Sequence, residues 1–329
     1  MRYFFRFIYT IFHSRIRLKL VRKKAAKQAE RLLGRLQTKF NGKFDEKTYH
    51  KIVKSYSLYL PLVTDTFTFL HGRYNNLKEQ ERNIHYFICS SLFDNFWDEK
   101  SLTIDQLEQI SFDSAHYTAQ SFDETMFIFS KLLLEHAVKD KEAYKKVCRQ
   151  LFEAQKNSLQ QFNKNITDAD IENITFEKGG NAVLMCRYYL DTAASRAEED
   201  CWYYLGSLIQ LSNDLFDTYK DLNDHIQTLA TRCSNAWDME AFFLTRLQML
   251  KTSIKHLPFP KKRKQYFSIL IIATACLGLV AIEQLKRVQG DYDKLPPLNK
   301  LSRKALIIDM EQFANVYRWL KLIYKHARI

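Results

Sequence analysis

The residues best suited to chemistry in this chain are two groups of carboxylates at helical spacing. The first, Asp94-Asn95-Phe96-Trp97-Asp98-Glu99, closes the apolar stretch HYFICSSLFDNFWDE. Asp94 and Asp98 are four residues apart, so on a helix they lie one turn apart on one face. Like charges so placed repel, and partial burial among Phe87, Phe93, Phe96 and Trp97 would raise the cost. A bound divalent cation removes that penalty. The second group follows CWYYLGSLIQL, and in it Asn213, Asp217 and Asp221 are spaced four and four, one stripe over two turns. Asp214 stands three before Asp217, on the edge of the same stripe. An acidic face meant for solvent is usually balanced by Lys at i+4, whereas here Asp94 is followed by Asp98 and Asp217 by Asp221. No His or Cys joins either group, which points away from zinc or iron. Oxygen-only ligands suit Mg²⁺, which is commonly held by carboxylates together with substrate phosphate.

Lys178, Arg187, Lys220 and Arg73 are cations whose ordinary role is that of a surface charge or a carboxylate partner, and for Arg73 that role is preferred. Lys178 stands beside Gly179-Gly180. Gly inside a helix costs about 1 kcal/mol relative to Ala. The pair therefore predicts either a helix break beside Lys178 or a helix that starts at 177 with both glycines in its first turn.

The elements that carry these groups follow from composition. Eight Gly and five Pro among 329 residues make about 4%, against roughly 12% on average. Sheets and barrels need the tight turns those residues supply, so their scarcity predicts an all-α chain. Apolar periodicity predicts helices over 3–39, 46–71, 78–98, 114–137, 141–163, 177–194, 197–225, 236–256, 262–288 and 302–327, with a break at 164–175. The uncharged run Tyr266 to Ile282 is short for a membrane span and reads as a buried core helix. Six widely scattered Cys with no CxxC pair suit a reducing, cytoplasmic compartment.

The charge is uneven. Residues 1–40 carry twelve Lys/Arg against the single acid Glu30, so +11 of the net +13 lies there. The chain therefore divides into a basic amphipathic arm, 1–42, and one helical domain, 43–329. The arm opens with MRYFFRFIYTIF and continues RIRLKLVRKKAAKQ. One reading lays it on an anionic membrane, peripheral to the inner face, with aromatics at the headgroup boundary and Lys/Arg on lipid phosphates. The other packs it against the domain as a solvated basic helix. Nucleic-acid binding ranks below both, because the arm has no recognised reading motif.

Taken together, these residues resemble the class I isoprenoid synthases. Asp94-Asn-Phe-Trp-Asp98-Glu99 is similar to their DDxxD/E or DxxxD element. Asn213-x-x-x-Asp217-x-x-x-Asp221 is similar to the second stripe of squalene and phytoene synthases, and Gln210-x-x-Asn213-Asp214-x-x-Asp217 resembles the QxxDDxxD element of chain-elongating enzymes. Phe176-Glu177-Lys178-Gly179-Gly180 looks like the superfamily's Lys-plus-small-residue helix break, and with FDNFWDE it resembles the bacterial tetraprenyl-β-curcumene synthase group. The resemblance implies a single large helical bundle with a central apolar cavity. It also implies a Mg²⁺-dependent enzyme, a terpene synthase or prenyltransferase, that ionises an allylic prenyl diphosphate and releases pyrophosphate. Asp94, Asp98, Asn213, Asp217 and Asp221 would be the metal-holding and catalytic residues, and Lys178, Arg187 and Lys220 would bind the substrate diphosphate. KSLTIDQ follows the first motif where elongating enzymes carry an arginine tract, which points away from ordinary chain elongation. The alternative is a membrane-peripheral helical scaffold without catalysis, whose acidic stripes dock a basic partner.

Overall fold

The structure is a computed structural model that describes residues 2–329, and among the described residues there is no strand. The chain is all-α. Its contacts divide it into two compact units. The smaller comprises Phe12–Tyr144 and Tyr188–Thr192, and the larger comprises the described residues up to Ile11, Lys145–Arg187 and Ala193–Ile329.

The helices are α1 (Arg2–Lys39), α2 (Glu46–Tyr59), α3 (Asp65–Leu70), α4 (Leu77–Asp98), α5 (Ile104–Phe112), α6 (Phe122–Ala137), α7 (Lys141–Asn157), α8 (Asp168–Met185), α9 (Arg196–Phe216), α10 (Thr218–Asn223), α11 (Ala236–His256), α12 (Lys261–Gln289), α13 (Arg303–Leu306) and α14 (Phe313–His326).

In the smaller unit, α1 buries Ala25, Ala29, Leu32, Leu33 and Leu36, one face at 3.6-residue periodicity. Arg17 forms an ion pair with the buried carboxylate of Asp65. Its guanidinium also lies 3.7 Å from the Tyr74 ring centroid. From residue 17 onward the arm is thus packed as an ordinary helix of the fold. The chain turns from α2 into α3 through a π-helical turn, Leu60–Thr64, around Pro61. Proline has no N–H to give the preceding turn, and the wider turn absorbs that loss. α4 starts on a capping box made by Asn76 and Glu79, and α5 on one made by Thr103 and Gln106.

In the larger unit α9 is the central helix, packed on α8, α11 and α12. It buries Cys201, Trp202, Leu205, Leu208, Leu211 and Leu215. α12 is the one helix among the described residues long and apolar enough to cross a membrane, and 78% of its most apolar stretch is buried within the fold. It also meets α14: the Trp319 indole N–H donates to the carbonyl of Ala273 at 2.7 Å. Its burial matches the core helix read from Tyr266 to Ile282.

Several boundaries differ from those read in the sequence. The helix expected over 114–137 begins at Phe122, and α5 forms ahead of it where none was expected. The segment expected to break at 164–175 is mostly helical. Thr167 caps α8, and Ile171 and Ile174 are buried. The helix expected over 302–327 is interrupted, giving α13 and α14.

Candidate functional site

The second acidic group sits where α9 gives way to α10, in the larger unit. Asp217 departs from helical geometry (φ −90°, ψ 6°) and ends α9. The ladder nonetheless continues through it, because Asp217 N–H donates to Asn213 at 2.8 Å and Asp221 N–H donates to Asp217 at 2.9 Å. The sequence spacing therefore keeps these residues stacked across the break.

Burial sorts the residues of the stripe. Asp214 and Asp221 are each 8% exposed. Asn213, Asp217 and Lys220 face solvent. The inward members are thus seven residues apart, two turns on one face, and Asn213 lies off it. By spacing Asp214 is the stripe's edge, and by resemblance it is a member of the Gln210-x-x-Asn213-Asp214-x-x-Asp217 element. Gln210, one turn earlier, donates its side-chain amide to Asp214 Oδ1 at 2.8 Å, and Thr175 of α8 donates its hydroxyl to Oδ2 at 3.3 Å. That pairing was visible in the sequence as Gln and Asp at i, i+4.

Both inward carboxyls hold their protons more tightly than usual. Burial pushes Asp214 up to about 6, opposed by the Gln210 and Thr175 hydrogen bonds and the charge of Lys178. Burial and the negative charges of Asp214 and Asp217 push Asp221 up to about 7. Lys178 is partly buried on α8. Arg187 is paired with Glu199, its Nε 3.4 Å from Oε1. Beside Lys178, Glu177 accepts from the Tyr203 hydroxyl at 2.7 Å and from the Asn181 amide at 2.8 Å, a network the sequence did not single out.

The glycines next to Lys178 neither break a helix nor start one. α8 runs unbroken through Gly179 and Gly180. A Cβ at Gly179 would collide with the carbonyl of Gly206 and with Cβ of Gln210, and one at Gly206 would collide with the carbonyl of Gly179. Their role is close approach of α8 to α9, which sets Thr175 and Lys178 near Asp214.

The first acidic group belongs to the smaller unit. Asp94 is about half exposed and its Oδ2 lies 2.9 Å from Nζ of Lys51. Asp98 is exposed at the end of α4, and Glu99 forms the C-cap. Asn95 donates to the Thr48 hydroxyl at 2.6 Å. Near this helix end, Asp123 is pushed up to about 6 by burial and by the charges of Asp45, Glu99 and Glu124. Arg73 is a carboxylate partner, forked onto Glu79 with both contacts at 2.6 Å.

Among the described residues no three His, Cys, Asp or Glu side chains gather into a ready-made metal cage. The oxygen-only donors still suit Mg²⁺, which keeps several waters and takes one or two carboxylates plus phosphate. An open pocket of about 200 Å³ lies elsewhere in the larger unit, beside Asp168, Arg232, Asn235, Asp238 and Phe242. No protein-family model matches the chain, and no curated protein matches it.

Proposed function

We propose that this chain is a Mg²⁺-dependent enzyme of the class I isoprenoid type that ionises an allylic prenyl diphosphate and releases pyrophosphate. The observation that carries the reading is the pair of buried carboxylates, Asp214 and Asp221, on one face with Asp217 at its solvent edge. Burying like charges this close costs stability unless a cation joins them. A fold meant only to persist has no use for the pair, whereas a site for a metal–diphosphate complex does. Gln210 and Thr175 hold Asp214 in one orientation. Lys178 and Lys220 supply positive charge beside the carboxylates, suited to diphosphate oxygens. Magnesium, when bound, would stabilise the charge developing on the leaving group. The same reading gives Asp94 and Asp98 a metal-holding role and Arg187 a diphosphate contact, each open to separate substitution.

The test is pyrophosphate release from prenyl diphosphates of increasing length, with Mg²⁺ and lipid present. Asp214→Asn, Asp217→Ala and Asp94→Ala are each expected to lower release by about 100-fold or more while the melting curve stays cooperative. In the absence of substrate, Mg²⁺ is expected to raise the melting temperature of the wild type and to leave Asp221→Asn unmoved. Undiminished release in the variants would overturn the site, and no release from the wild type with any substrate would overturn the activity. The second reading, a non-catalytic membrane-peripheral scaffold, draws on the ion pair that already occupies Asp94, and it predicts the latter result.

A further inference from the structure

The N-terminal helix turns its greasiest residues outward. Phe5 is 64% exposed and Phe12 66%, and Ile8, Ile16 and Leu20 are exposed with them. Positions 5, 8, 12, 16 and 20 recur every three or four residues, so they share one face of a single unbroken helix. The helix has its core-facing side elsewhere, since Phe7 and Thr10 are buried. The outward stripe is therefore additional to the packing face.

α14 repeats the arrangement. Phe313 is 83% exposed and Tyr317 61%, one turn apart, while Asn315 and Ile323 face inward. Within the larger unit the Tyr324 ring centroid lies 5.2 Å from those of both Tyr3 and Phe7, so the start of α1 and the end of α14 share one surface. Exposed cations accompany both stripes: Arg2, Arg15, Lys19 and Lys23 on α1, and Lys321, Lys325 and Arg328 at the C-terminal end. No acid precedes Glu30.

Scattered surface aromatics are ordinary, but adjoining apolar stripes accompanied by exposed, unbalanced cations mark an interaction surface. Charge complementarity selects the occupant. We propose that the outward faces of α1 and α14 dock this protein onto an anionic lipid bilayer, lying in the headgroup plane. Phe and Ile side chains enter the acyl boundary, tyrosines sit at headgroup level, and the long cationic side chains reach lipid phosphates. This docking does not depend on the catalytic reading.

The experiment is flotation of the full chain with phosphatidylcholine vesicles, with and without about 30 mol% phosphatidylserine. The protein is expected to float with the anionic vesicles only, and to be released at least about tenfold as NaCl rises from about 0.05 to 0.5 M. The triple variant F5S/I8S/F12S, and independently F313S/Y317S, are expected to lose about tenfold or more of the binding with an unchanged circular dichroism spectrum. Equal binding by these folded variants would overturn the proposal. So would absence of wild-type binding, or a wild-type dimer by light scattering that the triple variant converts to monomer, which would assign the face to a second copy of the chain.

Discussion

Asn213 and Asp214 are neighbours in sequence with opposite positions: one faces solvent, the other is buried. Spacing alone put Asn213, Asp217 and Asp221 on one stripe, and that stripe exists as a backbone ladder. What the spacing did not contain is which side of α9 meets α8, and so which carboxyls lose their water. Asp123 illustrates the same point in the smaller unit, where burial, Asp45, Glu99 and Glu124 raise its carboxyl from an ordinary 3.8 to about 6. The folded state therefore binds this proton more tightly than the unfolded chain. Its contribution to stability is present at low pH and is lost as the pH rises from about 4 to 6. Asp123→Asn is expected to flatten the decline in melting temperature over that window; an unaltered slope would show that the carboxyl titrates normally.

Among the helices, the α8–α9 contact determines the geometry of the acidic group. The sequence offers Gly179-Gly180 as a helix break or as the first turn of a helix starting at 177, and the structure instead uses Gly179 for backbone approach to Gly206 on the partner helix. Gly206→Ala places a methyl group against the carbonyl of Gly179. It is expected to destabilise the fold by about 2–3 kcal/mol in urea titration, as overpacking does. Gly34 of α1 is the control. A Cβ there meets nothing within 4 Å, so Gly34→Ala is expected to stabilise by about 0.5–1 kcal/mol through helix propensity alone. Equal effects at the two sites would refute the close-approach role. The missed start of α8 has a related cause: polar Asp168 and Asp170 read as loop, yet they occupy the first turn behind the Thr167 cap.

Across the molecule, charge and reactivity are segregated. Most of the net charge belongs to α1, which buries an apolar face from Ala25 to Leu36 and keeps its first turns greasy outside. All six cysteines are thiols rather than disulfides; five are buried and Cys233 is intermediate. Burial pushes even that thiol up to about 11, leaving little thiolate at neutral pH. The native protein is expected to react slowly with Ellman's reagent through Cys233, and at all six cysteines once unfolded in guanidinium. Cys233→Ser should abolish the native reaction, and rapid labelling of several thiols would contradict the packing.

The all-α class, most helix positions, the core character of α12 and the two acidic groups were all legible in the residues, because periodicity, capping and glycine scarcity act over a few turns of one chain segment. Tertiary structure alone decided that Asp214 faces inward and Asn213 outward, that Arg17 partners Asp65, that Gly179 meets Gly206, and that the start of α1 shares a surface with α14. Each depends on a segment distant in sequence, since burial and ion pairing belong to the pair of surfaces that meet.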